Sequence, residues 1–142
     1  MDEIKIKFWE EKEKKLVPKE LFSQIAENVA KKIAEDGKNN KGKNKGSQLR
    51  KYYDESLRLY ADIKTKRTPI AQKERFEQIL PYIKMLNAKV TYALGRNFVT
   101  ESYQKLIQQC LSQVNDLDDF EVFISFFESF MAFYKQCGPK EG

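Results

Sequence analysis

Residues Lys38 to Asp54, KNNKGKNKGSQLRKYYD, join a polar segment to the start of a helix. The first half contains only lysine, asparagine and glycine, and this composition predicts a solvated, flexible basic loop over residues 37–46. Ser47 is a favourable N-cap residue, and apolar side chains then recur every three or four positions up to Ile63. This spacing is typical of a helix with one buried face, so the sequence predicts a helix from Ser47 to about Lys64.

Four other segments carry the same helical period, and residues that favour helix ends flank them. Their predicted bounds are Pro18 to Gly37, Thr68 and Pro69 to about Arg96, Thr100 to Val114, and Phe120 to Tyr134, with Gly138 and Pro139 as the stop. Pro81 has no backbone N–H and lies inside the longest of these segments, so we expect a kink there. The acidic residues from Asp116 to Asp119 provide a turn before the last helix, and their negative charge interacts favourably with the positive, N-terminal end of its dipole.

The N-terminal residues 1–17 alternate glutamate and lysine around apolar residues that include Phe8 and Trp9. Oppositely charged side chains four positions apart stabilise exposed helices, so we predict an N-terminal helical extension. No alternating strand pattern occurs in the sequence. The predicted fold is therefore all-α: a single domain over residues 1–142, built as a compact bundle of about five to six helices.

The last predicted helix carries phenylalanine on more than one of its faces. A helix that is apolar over such a wide arc is either central to its bundle or shared with a partner. Both interpretations stay open on the sequence, and the second predicts self-association as a dimer or filament.

Positive charge is concentrated in the middle of the chain. The formal net charge is +5, but residues 38–75 carry twelve Lys and Arg against four Asp and Glu. Residues 97–142 carry three against seven. A basic region of this kind suits a polyanionic partner such as nucleic acid.

The predicted helix from Ser47 to Lys64 carries cations near both of its ends. Arg50 and Lys51 lie near its start, and Lys64, Lys66 and Arg67 lie at its finish. At about 1.5 Å per residue the two clusters are on the order of 25 Å apart, a span that fits several consecutive phosphates better than one small ligand. Tyr52 and Tyr53 could stack on bases, but their spacing favours the core.

Several kinds of chemistry find no support in the sequence. There is no histidine, the usual general base and metal ligand. No glycine-rich phosphate loop and no nucleophile elbow is present. Cys110 and Cys137 do not form a metal or redox spacing, and the acidic residues near Asp116 are explained by a helix start. We therefore predict a protein that is not an enzyme, has no cofactor, metal or membrane span, and resides in the cytoplasm.

Three motifs occur in order along the helical segments: Ser47-Gln48-Leu49-Arg50-Lys51, Tyr92-Ala93-Leu94-Gly95-Arg96 and Phe130-Met131-Ala132-Phe133-Tyr134-Lys135. With these motifs and their spacings, the chain resembles the small helical subunit of type III-A CRISPR interference complexes, the Csm small-subunit family. The similarity runs from about Glu20 to the C-terminus. Residues 1–17 have no clear counterpart in the family.

The resemblance implies a non-catalytic all-α subunit that acts with the other subunits of the complex. Several copies would line a ribonucleoprotein filament and hold the backbone of the target RNA paired to the guide RNA. When the resemblance is applied to the matching motifs, it implies five RNA-facing residues: Ser47, Gln48, Arg50, Lys51 and Arg96. Charge and composition add seven more: Lys41, Lys43, Lys45, Arg58, Lys64, Lys66 and Arg67.

Two other functions remain open on the sequence. The residues from Gln48 to Lys51 could begin the recognition helix of a DNA-binding regulator, although the long Lys/Asn/Gly loop replaces the short turn that such a motif needs. The chain could also be a purely structural assembly subunit whose positive charge serves solubility or contact with an acidic protein.

Overall fold

The computed structural model describes residues 4–140, and within them it contains helices and no β-strand. The helices are α1 (Ala26–Asn39), α2 (Gly46–Lys64), α3 (Pro69–Lys84), α4 (Leu86–Gly95), α5 (Glu101–Ser112) and α6 (Leu117–Cys137). One continuous cluster of buried apolar side chains connects them. The predicted all-α bundle is confirmed.

Helix α6 is central to the bundle and packs against α1 and α2. Neighbouring rings along it touch, with centroids 5.5 Å apart for Phe123 and Phe127 and 5.4 Å apart for Phe130 and Tyr134. Most of its aromatic rings are buried within the single chain: Phe120, Phe123, Phe126, Phe127, Phe130 and Tyr134. Of the two interpretations of this helix, the central position is the one that the structure shows.

The long helix predicted to end near Arg96 is bent into α3 and α4, which meet at Met85. Pro81 lies inside α3, one turn before the bend, and cannot donate the backbone hydrogen bond of a regular helix. Asn97 lies just past the end of α4 with a positive φ of 64°. The N–H of Phe98 donates to the carbonyl of Ala93 at 2.9 Å, which satisfies an otherwise free carbonyl at the helix end.

The start of α3 and the start of α6 follow local sequence rules. Thr68 accepts a hydrogen bond from the N–H of Ala71 at 3.1 Å, and Pro69 is the first residue of α3. At α6, Asp116 and Asp119 form a reciprocal capping box, with the N–H of Asp119 donating to Asp116 at 2.9 Å. The start of α3 is where the sequence predicted it, whereas α6 begins at Leu117, three residues before the predicted Phe120, because Asp116 caps the helix.

The predicted N-terminal helix is wrong for the described residues. Residues 4–17 contain only a short 3₁₀ turn, Lys12–Lys14, and are otherwise non-helical, while residues 1–3 lie outside the described range. Ile6 and Phe8 are buried. Because the segment packs along α5 through long-range contacts, its charge pattern did not reveal its conformation. We call residues 4–17 the N-terminal strap.

Two glutamine side chains hold the strap, Gln109 on α5 and Gln113 just past the end of that helix. Gln113 accepts a hydrogen bond from the N–H of Phe8 at 3.0 Å and donates to the carbonyl of Ile6 at 2.7 Å. Gln109 accepts from the N–H of Ile6 and donates to the carbonyl of Ile4. The two amides therefore pair with an extended backbone as the edge of a β-sheet would.

The helix before the basic loop differs from its prediction at both ends. It begins with a π-helical turn, Leu21–Ile25, rather than at Pro18, and it ends at Asn39 rather than at Gly37. Gly37 is buried inside α1, where an added Cβ would lie 2.9 Å from the Cβ of Asn44. Glycine is therefore needed here for close approach of the loop and not for a left-handed helix end.

Candidate nucleic-acid interface

The exposed side of α2 presents most of the predicted RNA-facing residues on one edge. Residues spaced three, four or seven apart share a helix face, and this applies to Ser47, Arg50, Lys51 and Arg58. All four are exposed. The opposite face is buried and consists of Leu49, Tyr52, Tyr53, Ser56, Leu59 and Ile63. We call the exposed side the α2 edge. Tyr52 and Tyr53 are core residues, as predicted.

The start of α2 differs in detail from the prediction. Lys45 occupies the N-cap position and Gly46 is the first helical residue, so Ser47 lies one position inside the helix. A depression of about 340 Å³ adjoins this first turn. Its lining includes Arg50 and two cations from the end of the chain, Lys135 and Lys140. The first-turn N–H groups and these cations together favour an anion.

Gln48 stands apart from the other candidates. Its side chain is half-buried, and its Oε1 atom is buried without a hydrogen-bond partner among the described residues. A buried acceptor without a donor costs free energy, on the order of 1–3 kcal/mol. The structure therefore does not present this oxygen to a ligand at the surface.

Three of the predicted cations are paired with the protein's own carboxylates. Arg50 lies 3.7 Å from Asp54, Lys64 lies 3.9 Å from Glu121, and Arg58 pairs with Glu55. The hydrogen bond from Arg58 lowers the pKa of Glu55 below its usual value, so this carboxylate is ionised at neutral pH. Exposed pairs of this kind contribute only about 0–1 kcal/mol each, so a phosphate can compete for the cations.

Other candidates have no such pairing. Lys51, Lys66 and Arg67 are exposed and make no ion pair with any residue from 4 to 140. Lys66 and Arg67 lie in the turn between α2 and α3, beside the bidentate pair of Arg75 with Asp62 at 2.8 and 2.9 Å. Positive charge is therefore available along α2 and in the turn that follows it.

The end of α2 is hydrogen-bonded to α6 and to α3. The Tyr60 hydroxyl donates to Glu121 at 2.7 Å, and Lys64 donates to Gln72 at 3.1 Å. Burial, together with this hydrogen bond to Glu121, raises the pKa of Tyr60 to about 12. The tyrosine therefore stays protonated and keeps donating at every physiological pH.

The basic loop between α1 and α2 does not lie free of the body. Asn44 is fully buried and donates to the carbonyl of Ile33 at 3.1 Å and to Thr100 at 2.8 Å. The prediction of a wholly solvated, flexible loop is therefore wrong at Asn44. A polar side chain can be buried when its amide groups form hydrogen bonds, as those of Asn44 do with Ile33 and Thr100. The loop lysines diverge: Lys41 and Lys45 are exposed, whereas Lys43 lines a separate cleft of about 690 Å³ between α1 and α5.

Arg96 lies at the end of α4, next to two exposed aromatic rings. Its guanidinium donates to the Tyr92 hydroxyl at 2.9 Å and lies 5.8 Å from that ring centroid and 5.5 Å from the centroid of Phe98. Tyr92 also lines a groove of about 510 Å³ whose other wall includes Lys51 of α2. The fold thus brings the Arg96 motif beside the α2 edge, although the two are 45 residues apart.

The sequence did not single out several side chains of this surface. Lys89 and Met85 line the same groove as Tyr92, and Lys135 joins the depression at the start of α2. Periodicity places Tyr92 and Lys89 on the outer side of α4, but only the tertiary packing shows that this side faces α2. Their positions therefore could not be recognised as part of a site.

Residues 4–140 show no grouping of three His, Cys, Asp or Glu side chains that could hold a metal ion. The Cys110 thiol is buried, and this burial raises its pKa well above the usual value. No helix in the described part of the chain has the length and apolar character needed to span a membrane.

A family model described as Csm2 Type III-A matches residues 4–140. No curated protein and no solved structure shows a significant match to the chain. The match extends over nearly the whole chain and includes the strap, for which the motifs had offered no family counterpart. The chain therefore belongs to the Csm2 family, the small subunits of type III-A CRISPR complexes.

Proposed function

We propose that this subunit binds the backbone of the target RNA paired to the guide RNA, without reading its sequence. The observation that carries the proposal is the α2 edge, where Arg50, Lys51 and Arg58 share one exposed helix face. Cations in such a row contact successive phosphates, and phosphate contacts hold a nucleic acid in position without carrying sequence information.

Two neighbouring features extend this surface. The depression at the first turn of α2 adds Lys135 and Lys140, and the turn after α2 adds Lys66 and Arg67. An A-form duplex exposes its phosphates and 2′-hydroxyls, which a rigid row of donors can contact through shape and charge alone. No catalytic group is required for this role.

Binding measurements with charge-reversed variants test the proposal. Arg50→Glu/Lys51→Glu should weaken binding to a guide–target RNA duplex at least tenfold at low salt and lower the salt slope by about two, one per lost phosphate contact. Both side chains are exposed, so the far-UV circular dichroism should not change. Unchanged affinity in a folded double variant would refute the proposal.

A matched control separates local contacts from net charge. Lys7 and Lys14 lie on the N-terminal strap, outside α2, with side chains 69% and 72% exposed. Lys7→Glu/Lys14→Glu changes the net charge by the same amount as the α2 pair. It should retain most of the affinity. An equal loss in both double variants would mean that only total charge matters.

Stacking of several copies as a filament is part of the same proposal, and it rests on the family membership rather than on α6. Most of the aromatic rings of α6 are buried within one chain, so this helix does not offer a broad aromatic contact surface. Light scattering of the purified protein with and without RNA measures assembly directly. Many weak copies along one RNA would bind with avidity, so assembly should increase when RNA is added.

The geometry gives less support to a DNA-binding regulator. In a helix-turn-helix motif, the recognition helix follows a turn of three or four residues and packs against the helix before it. Here α1 packs chiefly on α6, and the six residues 40–45 separate it from α2. Much tighter binding to one duplex DNA sequence than to random duplex would favour that function instead.

A further inference from the structure

The groove between α2 and α4 has a lining that phosphate binding alone does not explain. Most of it is apolar, formed by Tyr52, Met85, Ala88 and Tyr92, and its volume of about 510 Å³ is within the range of small-ligand clefts. Tyr92 is 65% exposed and Met85 45% exposed. An apolar surface of this kind attracts a partner with a flat, apolar face.

The charges around the groove identify the kind of partner. Lys51 and Lys89 line it against a single carboxylate, Glu55, and that carboxylate already pairs with Arg58. Arg96 lies beside Tyr92 at the end of α4. An aromatic ring surrounded by cations matches a nucleotide, because the ring stacks on the base while the cations face the phosphates.

The groove is also continuous with the α2 edge, since Lys51 belongs to both. A strand whose phosphates follow that edge passes the mouth of the groove. From this geometry we infer that the groove receives an unpaired RNA base, which stacks on Tyr92 while its backbone stays on Lys51, Lys89 and Arg96. This inference rests on the proposed RNA binding and adds a base contact to it.

Stacking on aromatic side chains tolerates any base, because every base has a π-face. The groove would therefore favour single-stranded or bulged RNA over a continuous duplex and still read no sequence. A base that leaves the guide–target duplex is the form of RNA that the groove accepts.

A pair of oligomers with equal charge tests the inference. One is a short oligoadenylate and the other is an abasic ribose–phosphate chain of the same length. The wild-type protein should bind the oligoadenylate at least about fivefold more tightly, because each stacked base favours binding. Tyr92→Ala should reduce this ratio to near one, whereas Tyr92→Phe should keep it.

Tyr82 provides the matched control. It is 56% exposed on α3 and does not line the groove. Tyr82→Ala should keep the wild-type ratio of affinities. A ratio near one in the wild-type protein, or an undiminished ratio in Tyr92→Ala, would overturn the inference.

Other outcomes separate this inference from the function on which it rests. If both oligomers bind equally and Arg50→Glu/Lys51→Glu abolishes binding, the backbone function stands and the base groove is refuted. If neither oligomer nor a duplex binds, both proposals fail. If Tyr92→Ala changes only the sedimentation of the RNA-free protein, the groove is a contact for a second copy of the chain and the inference is overturned.

Discussion

Asn44 and Thr100, 56 residues apart, hydrogen-bond to each other in both directions. The N–H of Thr100 donates to Asn44 Oδ1 at 2.9 Å, and Asn44 Nδ2 donates to Thr100 Oγ1 at 2.8 Å. Thr100 is the N-cap residue of α5, but its side chain does not cap the helix. The pair instead fixes the loop that leads into α2 against the start of α5, and so it positions the first turn of the α2 edge.

Replacement of Asn44 should therefore destabilise the fold. Asn44→Ala removes three side-chain hydrogen bonds and leaves the buried Ile33 carbonyl without this donor. Asn44 also has a φ of 58°, a left-handed conformation that alanine adopts less readily. We expect the free energy of unfolding to fall by about 2–4 kcal/mol, measured by urea denaturation.

Asn40→Ala is the control for this substitution. Asn40 is exposed, and among residues 4–140 its side chain donates one hydrogen bond, to the carbonyl of Asp36 at 2.8 Å. Its loss should cost about 0.5 kcal/mol or less. If Asn44→Ala cost no more than this control, the anchoring role of Asn44 would be wrong.

The strap gives a second prediction. Gln109→Ala/Gln113→Ala removes the amides that pair with the backbone of residues 4–8. The strap should then detach more often, so trypsin should cleave after Lys5 and Lys7 faster than in the wild-type protein. Trp9 is the sole tryptophan of the chain, and its emission should shift to the red as its exposure increases.

Gln108→Ala is the matched control for the strap. Gln108 is exposed on α5, and among the described residues its side chain hydrogen-bonds only to Gln104, at 3.4 Å. Its replacement should leave both cleavage and emission unchanged. Equal cleavage rates for the double variant and the wild-type protein would show that the apolar contacts of Ile6 and Phe8 suffice to hold the strap.

These contacts also show what the sequence could reveal. Thr68 and Asp116 each accept a hydrogen bond from the N–H three residues further on, and Pro69 has a φ that suits the first helical position, so the local pattern placed these helix starts to within three residues. The strap depends on glutamines about 105 residues away, and Asn44 depends on Thr100. A polar, charged composition carries no sign of such distant partners. The same limit applies to the site, because the charges of α2 were visible in the sequence but the groove that Tyr92 shares with Lys51 was not.

Asp119 makes the stability of the strap depend on pH. Its carboxylate is buried and accepts hydrogen bonds from Trp9 at 2.8 Å and from the N–H of Asn115 at 2.9 Å, with Lys12 at 2.9 Å. Burial alone would raise the pKa of Asp119, but the hydrogen bonds from Lys12, Trp9 and Asn115 outweigh it and leave the pKa below the usual value.

The sign of the pH effect follows from this lowered pKa. The stabilisation is fully present above the unfolded-state pKa of about 4 and is lost as the pH falls through the lower folded-state value. Asp119→Asn should cost about 1.5–3 kcal/mol at pH 7, and the difference from the wild-type protein should shrink below pH 4. Thermal denaturation from pH 7 to pH 2 measures both effects.

Asp118→Asn serves as the control for Asp119. The Asp118 side chain is 44% exposed, and it forms a single, long ion pair with Lys15 at 3.7 Å. Exposed pairs of this kind contribute little, so removal of the Asp118 charge should change stability little at any pH. A difference between Asp119→Asn and the wild-type protein that did not vary with pH would contradict the role assigned to the ionised carboxylate.

The carboxylates of α2 give the last prediction, which concerns the competition between phosphate and the protein's own ion pairs. In the free protein Asp54 forms an ion pair with Arg50, and Glu55 forms one with Arg58. RNA must displace these carboxylates or bind beside them, and either costs affinity. Asp54→Asn/Glu55→Gln should therefore tighten RNA binding by about two- to tenfold, while the loss of exposed pairs should change stability by less than about 1 kcal/mol.

The control for this gain removes two ion pairs elsewhere. Glu27 pairs with Lys31 on α1 at 3.3 Å, and Glu101 pairs with Lys105 on α5 at 2.8 Å. Glu27→Gln/Glu101→Gln makes the same change in net charge, so it should produce only the smaller, long-range part of the gain. If RNA bound to the α2 edge, the two double variants would differ most at high salt, where distant charges are screened and direct contacts persist. Equal gains at every salt concentration would place the RNA elsewhere on the protein.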